Sequence, residues 1–254
     1  VADSGRVVYG VHAATALLER RSGDVVAATV LEGPLQGRLA ELVARLDAAH
    51  VPVERRRRAE LDRMAGGGVH QGIVLSVVAR RARDINDLED IVEQRGRSLR
   101  LLLLDQVEDP RNLGACLRTA DAAGVDAVIV PKAHSAKLGG AAEKAATGAA
   151  ETVPLIVVPN LARALTWLKA AGVWVVGTDE AGPKTLYETR LEPPLAIVLG
   201  AEGKGLRRLT RETCDEIVRI PMRGTVASLN VSVAAGVVLY ELLRQDESGQ
   251  SKDA

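Results

Sequence analysis

Residues 101–104 are four leucines in a row, and residues 196–199 read AIVL. A strand with one wet face alternates apolar with polar residues, so an unbroken apolar run of this length suits a strand buried on both faces, as in a parallel sheet covered by helices. The rest of the C-terminal two thirds obeys the same rule. Strand-like runs at 101–104, 127–130, 155–158, 173–176, 195–199 and 216–220 alternate with helical spacing at 113–123, 140–149, 161–171 and 206–214 and with a final helix. An α/β fold around a mostly parallel sheet is expected. Ligands of such sheets bind beyond the carboxyl ends of the strands, which points to the loops after Leu104, Val176, Leu199 and Ile220.

The first 79 residues read as a separate, smaller α/β unit of about 75 residues, the size of a binding module. Helical spacing at 10–21 and 36–49 flanks strand-like runs at 24–31 and 72–79, and Pro52 opens a short extended segment. Arg55–Arg58 is a run of four arginines that fits either a solvated face or a phosphate-contacting patch. His70 follows Gly66–Gly68, and a lone histidine there is expected to be structural. Residues 80–98 are dense in charge, with a short helix expected around 88–92, and read as a linker; the second domain would span 99–254.

The chain holds 33 basic and 33 acidic residues, so any nucleic-acid partner must be met by local patches. Three Tyr, two Trp and no Phe argue against a module that stacks bases on sheet aromatics. Cys116 and Cys214 form no CxxC pair and have no nearby His, so no metal site is expected; they read as buried thiols of a reducing compartment. No apolar run reaches the roughly 18 residues that span a bilayer, and a cytoplasmic protein with no membrane partner is expected.

Three loops carry unusual content. In DPRNLGACLRTADAAG (109–124), Asn112 is expected as a helix cap, and Arg118, on an otherwise apolar helix, is expected to find a partner, solvent or Asp121. In GAEGKG (200–205) the glycines fit neither a dinucleotide fingerprint nor a P-loop, and Glu202 points to a cationic or hydroxyl-bearing ligand. A tight turn explains this loop about as well. In IPMRGTVASLNVSVAAG (220–236), Pro221 stops a strand and Ser228 is expected to cap the final helix, leaving the N–H groups of Ser228, Leu229 and Asn230 for a ligand's acceptors.

Taken together, in this order and spacing, DPRNLGACLRTADAAG, LAIVLGAEGKGL and IPMRGTVASLNVSVAAG resemble the three motifs of the SpoU (TrmH-type) RNA ribose 2′-O-methyltransferases. VYGVHAATALLE and VHQGI resemble the substrate-binding domain of members that act on a guanosine of 23S ribosomal RNA. The resemblance implies a SPOUT-type domain with a deep trefoil knot and an L30e-like N-terminal RNA-binding domain. It implies S-adenosylmethionine held by Gly200, Ile220, Met222 and Leu229, and a homodimer formed through the C-terminal domain. Asn112, Arg118, Glu202, Ser228 and Asn230 fall on the family's active-site positions.

A guanidinium with a pKa above ~12 is neutral in fewer than about one molecule in 10⁵ at pH 7, so Arg118 is a poor unaided base. Its expected role is to hold the phosphate and the 2′-oxygen of the target nucleotide, with Asn112 and Asn230 fixing geometry and Glu202 orienting an arginine or the dimer interface. Competing readings are a tRNA ribose substrate, a resistance-conferring rRNA adenosine methyltransferase, and a catalytically silent RNA-binding scaffold.

Overall fold

The computed structural model describes residues 6–78 and 83–250, in two compact units. The expected strand end at Ala79 and the start of the linker, 80–82, lie outside the described residues.

The first unit is built from β1 (Arg6–Tyr9), α1 (Val11–Arg21), β2 (Val25–Leu31), α2 (Gly37–Ala48), β3 (Val53–Arg56), α3 (Arg58–Met64) and β4 (Ile73–Val77). Its sheet runs β1-β4-β2-β3, with β4 antiparallel to both neighbours and β3 parallel to β2. Leu17, Leu42, Leu46, Ile73 and Leu75 meet in its core, so the apolar stripes of α1 and α2 are buried as their spacing predicts. β3 is the short extended segment expected after Pro52, whereas β1 and α3 are additional to the expected elements.

The second unit begins inside the expected linker. α4 (Ile85–Arg95) is capped by Asp84, whose carboxylate accepts from Asn86 N, and buries Leu88 completely in the core of this unit. There follow β5 (Arg100–Leu104), α5 (Pro110–Ala122), β6 (Ala127–Pro131), α6 (Gly140–Ala146), α7 (Ala149–Thr152), β7 (Leu155–Val158), α8 (Leu161–Ala170) and β8 (Trp174–Thr178). Then come the short β9 (Lys184–Thr185), β10 (Leu195–Leu199), α9 (Arg208–Thr213), β11 (Glu216–Arg219) and α10 (Val231–Gln250).

The sheet order is β7-β6-β5-β10-β8-β11-β9, and every pairing is parallel. Leu101 to Leu104 are each at most 1% exposed, as are Leu101's face-mates Ile129, Val175 and Val198, so both faces are covered, as the unbroken leucines require. From β5 the chain moves outward to β6 and β7; from β10 it moves the other way, to β11. β5 and β10 are therefore the switch point of the sheet, where the loops of adjacent strands part and leave a crevice at the carboxyl edge.

The helix expected at 140–149 is interrupted. Thr147 and Gly148 take left-handed φ of 52° and 95°, and the chain turns so that Thr147–Thr152 groups with the first unit, where α7 packs on α1. Glu151 pairs there with Arg21.

Candidate active site

The crevice between β5 and β10 is drawn together by backbone and charge. Asp105, the residue after β5, donates its N–H to Leu199 O at 2.8 Å. Its side chain is wholly buried, accepting from Arg207 Nε at 2.7 Å and from Arg207 N at 3.0 Å. The loop after β5 is thereby tied to the chain that follows β10, by two residues whose importance the sequence reading missed.

The first motif loop enters α5 through Asp109, whose carboxylate accepts from Arg111 N at 2.7 Å, followed by Pro110 at the first helical position. Asn112 is thus not the cap; it lies within the first turn, with its side chain free to point away from the helix. The Asp-Pro pair is the signal that would have found this. Gly114, two residues on, is required by packing: a Cβ there would sit 2.2 Å from Ala142 O on α6.

The second motif loop leaves β10 and closes on itself. Lys204 N and Gly205 N both donate to Ala201 O, and Gly203 and Gly205 have φ of 71° and 63°. A Cβ on Gly200 would fall 2.2 Å from Gly205 C and 2.5 Å from Leu206 N, so this position accepts no side chain. The turn carries Glu202 at its tip.

The third motif loop, Ile220–Leu229, forms no backbone hydrogen bond among the described residues. Its N–H and C=O groups are open to a ligand or to water, the expected form of a cradle that binds through the main chain. Gly200, Ile220, Met222 and Leu229 are each half-buried along it and beside it. α10 is capped by Asn230, not by Ser228: Asn230 Oδ1 accepts from Ser232 N at 2.9 Å and from Ser232 Oγ at 2.6 Å. Ser228 is exposed and makes no side-chain hydrogen bond among the described residues.

The three loops meet at one carboxylate oxygen. Glu202 Oε1 accepts from Asn112 Nδ2 at 3.0 Å, from Asn230 Nδ2 at 2.6 Å and from Val231 N at 3.3 Å, and Asn230 Nδ2 also donates to Asn112 Oδ1 at 3.0 Å. Residues separated by 90 and 118 positions are locked into one triangle. Within the chain the partners of Glu202 are two amides and a helix N–H, not an arginine. The carboxylate also faces the α10 N-terminus, where the helix dipole favours negative charge. One turn beyond Asn112, Cys116 is pushed up to about 12, by burial first and by the charge of Glu202 second.

Arg118 lies further along α5, exposed, and has no side-chain hydrogen bond or ion pair among the described residues. The partner expected for it is not found in the described chain. A cation left unpaired beside such a site is available to an anionic ligand. No group of His, Cys, Asp and Glu suited to a metal occurs among the described residues, and no described helix is long and apolar enough to cross a membrane.

His70 is buried and structural, as expected: its Nδ1 accepts from Gly72 N at 3.0 Å, leaving Nε2 to donate to Asp62 at 3.1 Å. Two of the four arginines of the run face acids: Arg56 contacts Glu54 and Glu60, and Arg57 faces Glu32 at 3.9 Å. Arg55 donates to a backbone carbonyl, Gly33 O, and Arg58 has no ion pair among the described residues.

A nearly all-parallel sheet with a crevice at β5/β10, an acid-locked pair of amides and an open backbone cradle defines a small-molecule-dependent enzyme of the α/β class. The SpoU rRNA Methylase family matches residues 100–240, and the RNA 2′-O ribose methyltransferase substrate-binding family matches residues 7–82. The chain belongs to the SpoU methyltransferase family. It is 52% identical over 239 residues to the 23S rRNA (guanosine-2′-O-)-methyltransferase of Yersinia pestis, covering 94% of this chain and 97% of that one. Its identity to the enzyme of the same name from Escherichia coli K12 is 49%, over 94% and 98%. Among solved structures, the SpoU methyltransferase AviRb of Streptomyces viridochromogenes, in complex with the cofactor AdoMet, superposes with a TM-score of 0.79 at 26% identity, covering 96% of this chain and 92% of that one. The TrmH/SpoU tRNA modifying enzyme of A. aeolicus is 31% identical with a TM-score of 0.55, and covers only 65% of this chain and 84% of its own.

Proposed function

We propose that this protein transfers the methyl group of S-adenosylmethionine to the ribose 2′-hydroxyl of a guanosine in 23S ribosomal RNA, in the cytoplasm, as a homodimer joined through its second unit. The observation that carries the reading is the convergence of Asn112, Glu202 and Asn230, from three distant loops, at the switch point of a parallel sheet. The 23S rRNA assignment is supported by relatives that align over both units, whereas the tRNA-modifying neighbour covers 65% of the chain.

Gly200, Ile220, Met222 and Leu229 hold S-adenosylmethionine in this reading. The fit rests on a turn that no Cβ can enter and on a loop whose backbone groups are unpaired. The bound donor supplies an electrophilic methyl. The knotted return of the chain implied by the family resemblance belongs to the same proposal.

The chain's own residues must place a weak nucleophile in line with that methyl and stabilise the alkoxide that develops as its proton passes to water or to the neighbouring phosphate. Glu202 fixes both asparagine amides, and its Oε2, which has no hydrogen-bond partner among the described residues, is free to accept from a hydroxyl of the substrate. Asn112 and Asn230 orient the sugar by neutral hydrogen bonds. Arg118 binds the adjacent phosphate and the 2′-oxygen, favouring the charge that develops there. Ser228, on the exposed part of the third loop, contributes from beside the donor.

Incubation with isotopically labelled methyl donor and total RNA, followed by nuclease digestion, tests the reading. Label is expected on 2′-O-methylguanosine of 23S rRNA. Label confined to tRNA or to an adenosine would reassign the substrate, and absence of transfer would leave an RNA-binding scaffold.

A further inference from the structure

The basic side chains of the second unit divide by pairing, although paired Lys184, Arg207, Arg208 and Arg211 also follow the carboxyl ends of strands. Arg95, Arg100, Lys169, Arg207 and Arg244 each sit within 2.9 Å of an acid. Arg111, Arg118, Lys132, Lys137, Lys204 and Arg223 are exposed and make no side-chain hydrogen bond or ion pair among the described residues. These six belong to segments leaving the carboxyl ends of β5, β6, β10 and β11. Because the strands are parallel, those ends share one edge of the sheet. Lys144 and Arg163 follow β6 and β7 in the same way, and Arg97, just before β5, is the exception among the described residues. Glu108, Asp109 and Glu202 stand on the same segments but pair with none of these cations, which are therefore available to an anion in a chain of zero net charge. S-adenosylmethionine, a sulfonium with a single carboxylate, has use for only one or two of these cations. The other reactant, a polyanion, has use for more.

One segment of that edge lies outside all three motifs yet is fastened to the first of them. In the loop between β6 and α6, Ala136 N–H donates to Val107 O at 2.8 Å, and both residues are buried. His134 Nδ1 lies 3.3 Å from Glu108 Oε1, across from the Asp109 cap of the helix that bears Asn112. His134 and Gln106 hold left-handed φ of 56° and 62° in these two joined loops, a costly conformation that clusters where a site constrains the backbone. Lys132 and Lys137 stand exposed on either side of His134.

We propose that the loop 132–139 is a second RNA contact of the active-site edge, in which Lys132 and Lys137 hold phosphates flanking the target nucleotide and His134, braced by Glu108, positions them. The proposal rests on the RNA methyltransferase reading above. It adds a contact in the second unit to any that the arginine run of the first unit makes, where Glu32, Glu54 and Glu60 offset Arg56 and Arg57 only.

The test uses full-length protein and a 23S rRNA fragment that the wild type methylates, with RNA affinity measured across a salt series and steady-state kinetics alongside. For K132A/K137A, two lost phosphate contacts make the slope of log affinity against log salt shallower by about 1.4 to 1.8. KM for RNA rises about tenfold while kcat at saturating RNA and donor affinity hold. K132R/K137R restores both. H134A raises KM for RNA with kcat preserved, and E108A does the same. R56A changes the slope by less than K132A or K137A made singly. An unchanged slope and KM in K132A/K137A, with normal wild-type turnover, overturns the proposal and leaves the function intact. A wild type that methylates no RNA overturns the function and this inference with it.

Discussion

Asn230 Nδ2 lies 2.6 Å from Glu202 Oε1, so the residue that caps the last helix is held by a carboxylate at the tip of a turn that closes 28 residues earlier. One amide terminates a helix through its oxygen and joins two motif loops through its nitrogen. The geometry of the site and the start of α10 are therefore a single structure, and substitutions in either should be felt in both.

Replacing Glu202 by Ala removes the common acceptor of Asn112, Asn230 and Val231 N. The carboxylate is exposed, so stability is expected to fall by no more than ~1 kcal/mol, whereas turnover falls about 10²-fold or more as the amides lose their orientation. Thermal melting and methyl-transfer kinetics on one sample check both; turnover near wild type would remove the triangle from catalysis.

Arg118→Ala has no internal contact to break among the described residues, so its melting temperature and its affinity for S-adenosylmethionine should match the wild type. Methyl transfer should drop by several orders of magnitude if the guanidinium meets the developing alkoxide. Calorimetric titration with the donor, beside single-turnover transfer, separates binding from chemistry. A variant that binds donor and turns over normally would exclude Arg118 from the mechanism.

Gly200→Ala pushes a methyl to 2.2 Å from the Gly205 backbone, which no rotamer relieves. The turn must open. Affinity for S-adenosylmethionine should fall at least tenfold with the sheet still folded, since Gly200 lies outside β10; circular dichroism and donor titration distinguish this from global unfolding.

Asp105→Ala strands Arg207 and releases the tie between β5 and the segment after β10. Arg207 is 39% exposed and recovers some solvation, so the cost is expected at about 2–3 kcal/mol rather than the full penalty of a buried broken pair. Urea unfolding monitored by circular dichroism should show the loss in midpoint with little change in slope.

Burial, reinforced by Glu202 and Asp215 respectively, pushes the thiols of Cys116 and Cys214 from an ordinary 9.0 to about 12. Both folded values lie above the unfolded one, so the stability they contribute is complete below about 9 and is lost as pH rises from there toward 12. Native protein at pH 8 should leave both thiols unmodified by a disulfide reagent over a time in which unfolded protein reacts at two sites. Cys116 is buried as expected and Cys214 only partly so, and fast modification of Cys116 in the folded protein would contradict its burial.

Much of this was legible beforehand because it depends on local pattern. The leucines of β5 announce a strand buried on both faces, and the spacing of Leu42 and Leu46 announces α2. Asn112, Glu202 and Asn230 were identified through their motifs. What was not legible depends on distant partners. Ser228 and Asn230 are equally good caps in isolation, and only the carboxylate of Glu202 decides between them. Residues 140–149 read as continuous small-residue helix; the break falls at Thr147–Gly148, where Gly148 lies so close to α1 that a Cβ would meet His12 O at 3.3 Å. The adjacency of β5 and β10, nearly a hundred residues apart, has no sequence signature at all. Charge alone does not decide between a solvated face and a phosphate patch for the arginine run: Arg56 and Arg57 have glutamates beside them, Arg55 and Arg58 do not.

That excursion of Thr147–Thr152 into the first unit has a biochemical consequence. A protease nick between residues 78 and 83 leaves two fragments, of which the larger still owns α7, and α7 stays seated on α1 through Glu151 and Arg21. The nicked halves are expected to co-elute under native conditions and to part only in denaturant. Removing the first 78 residues outright, by contrast, bares Glu151 and the helical turn that carries it.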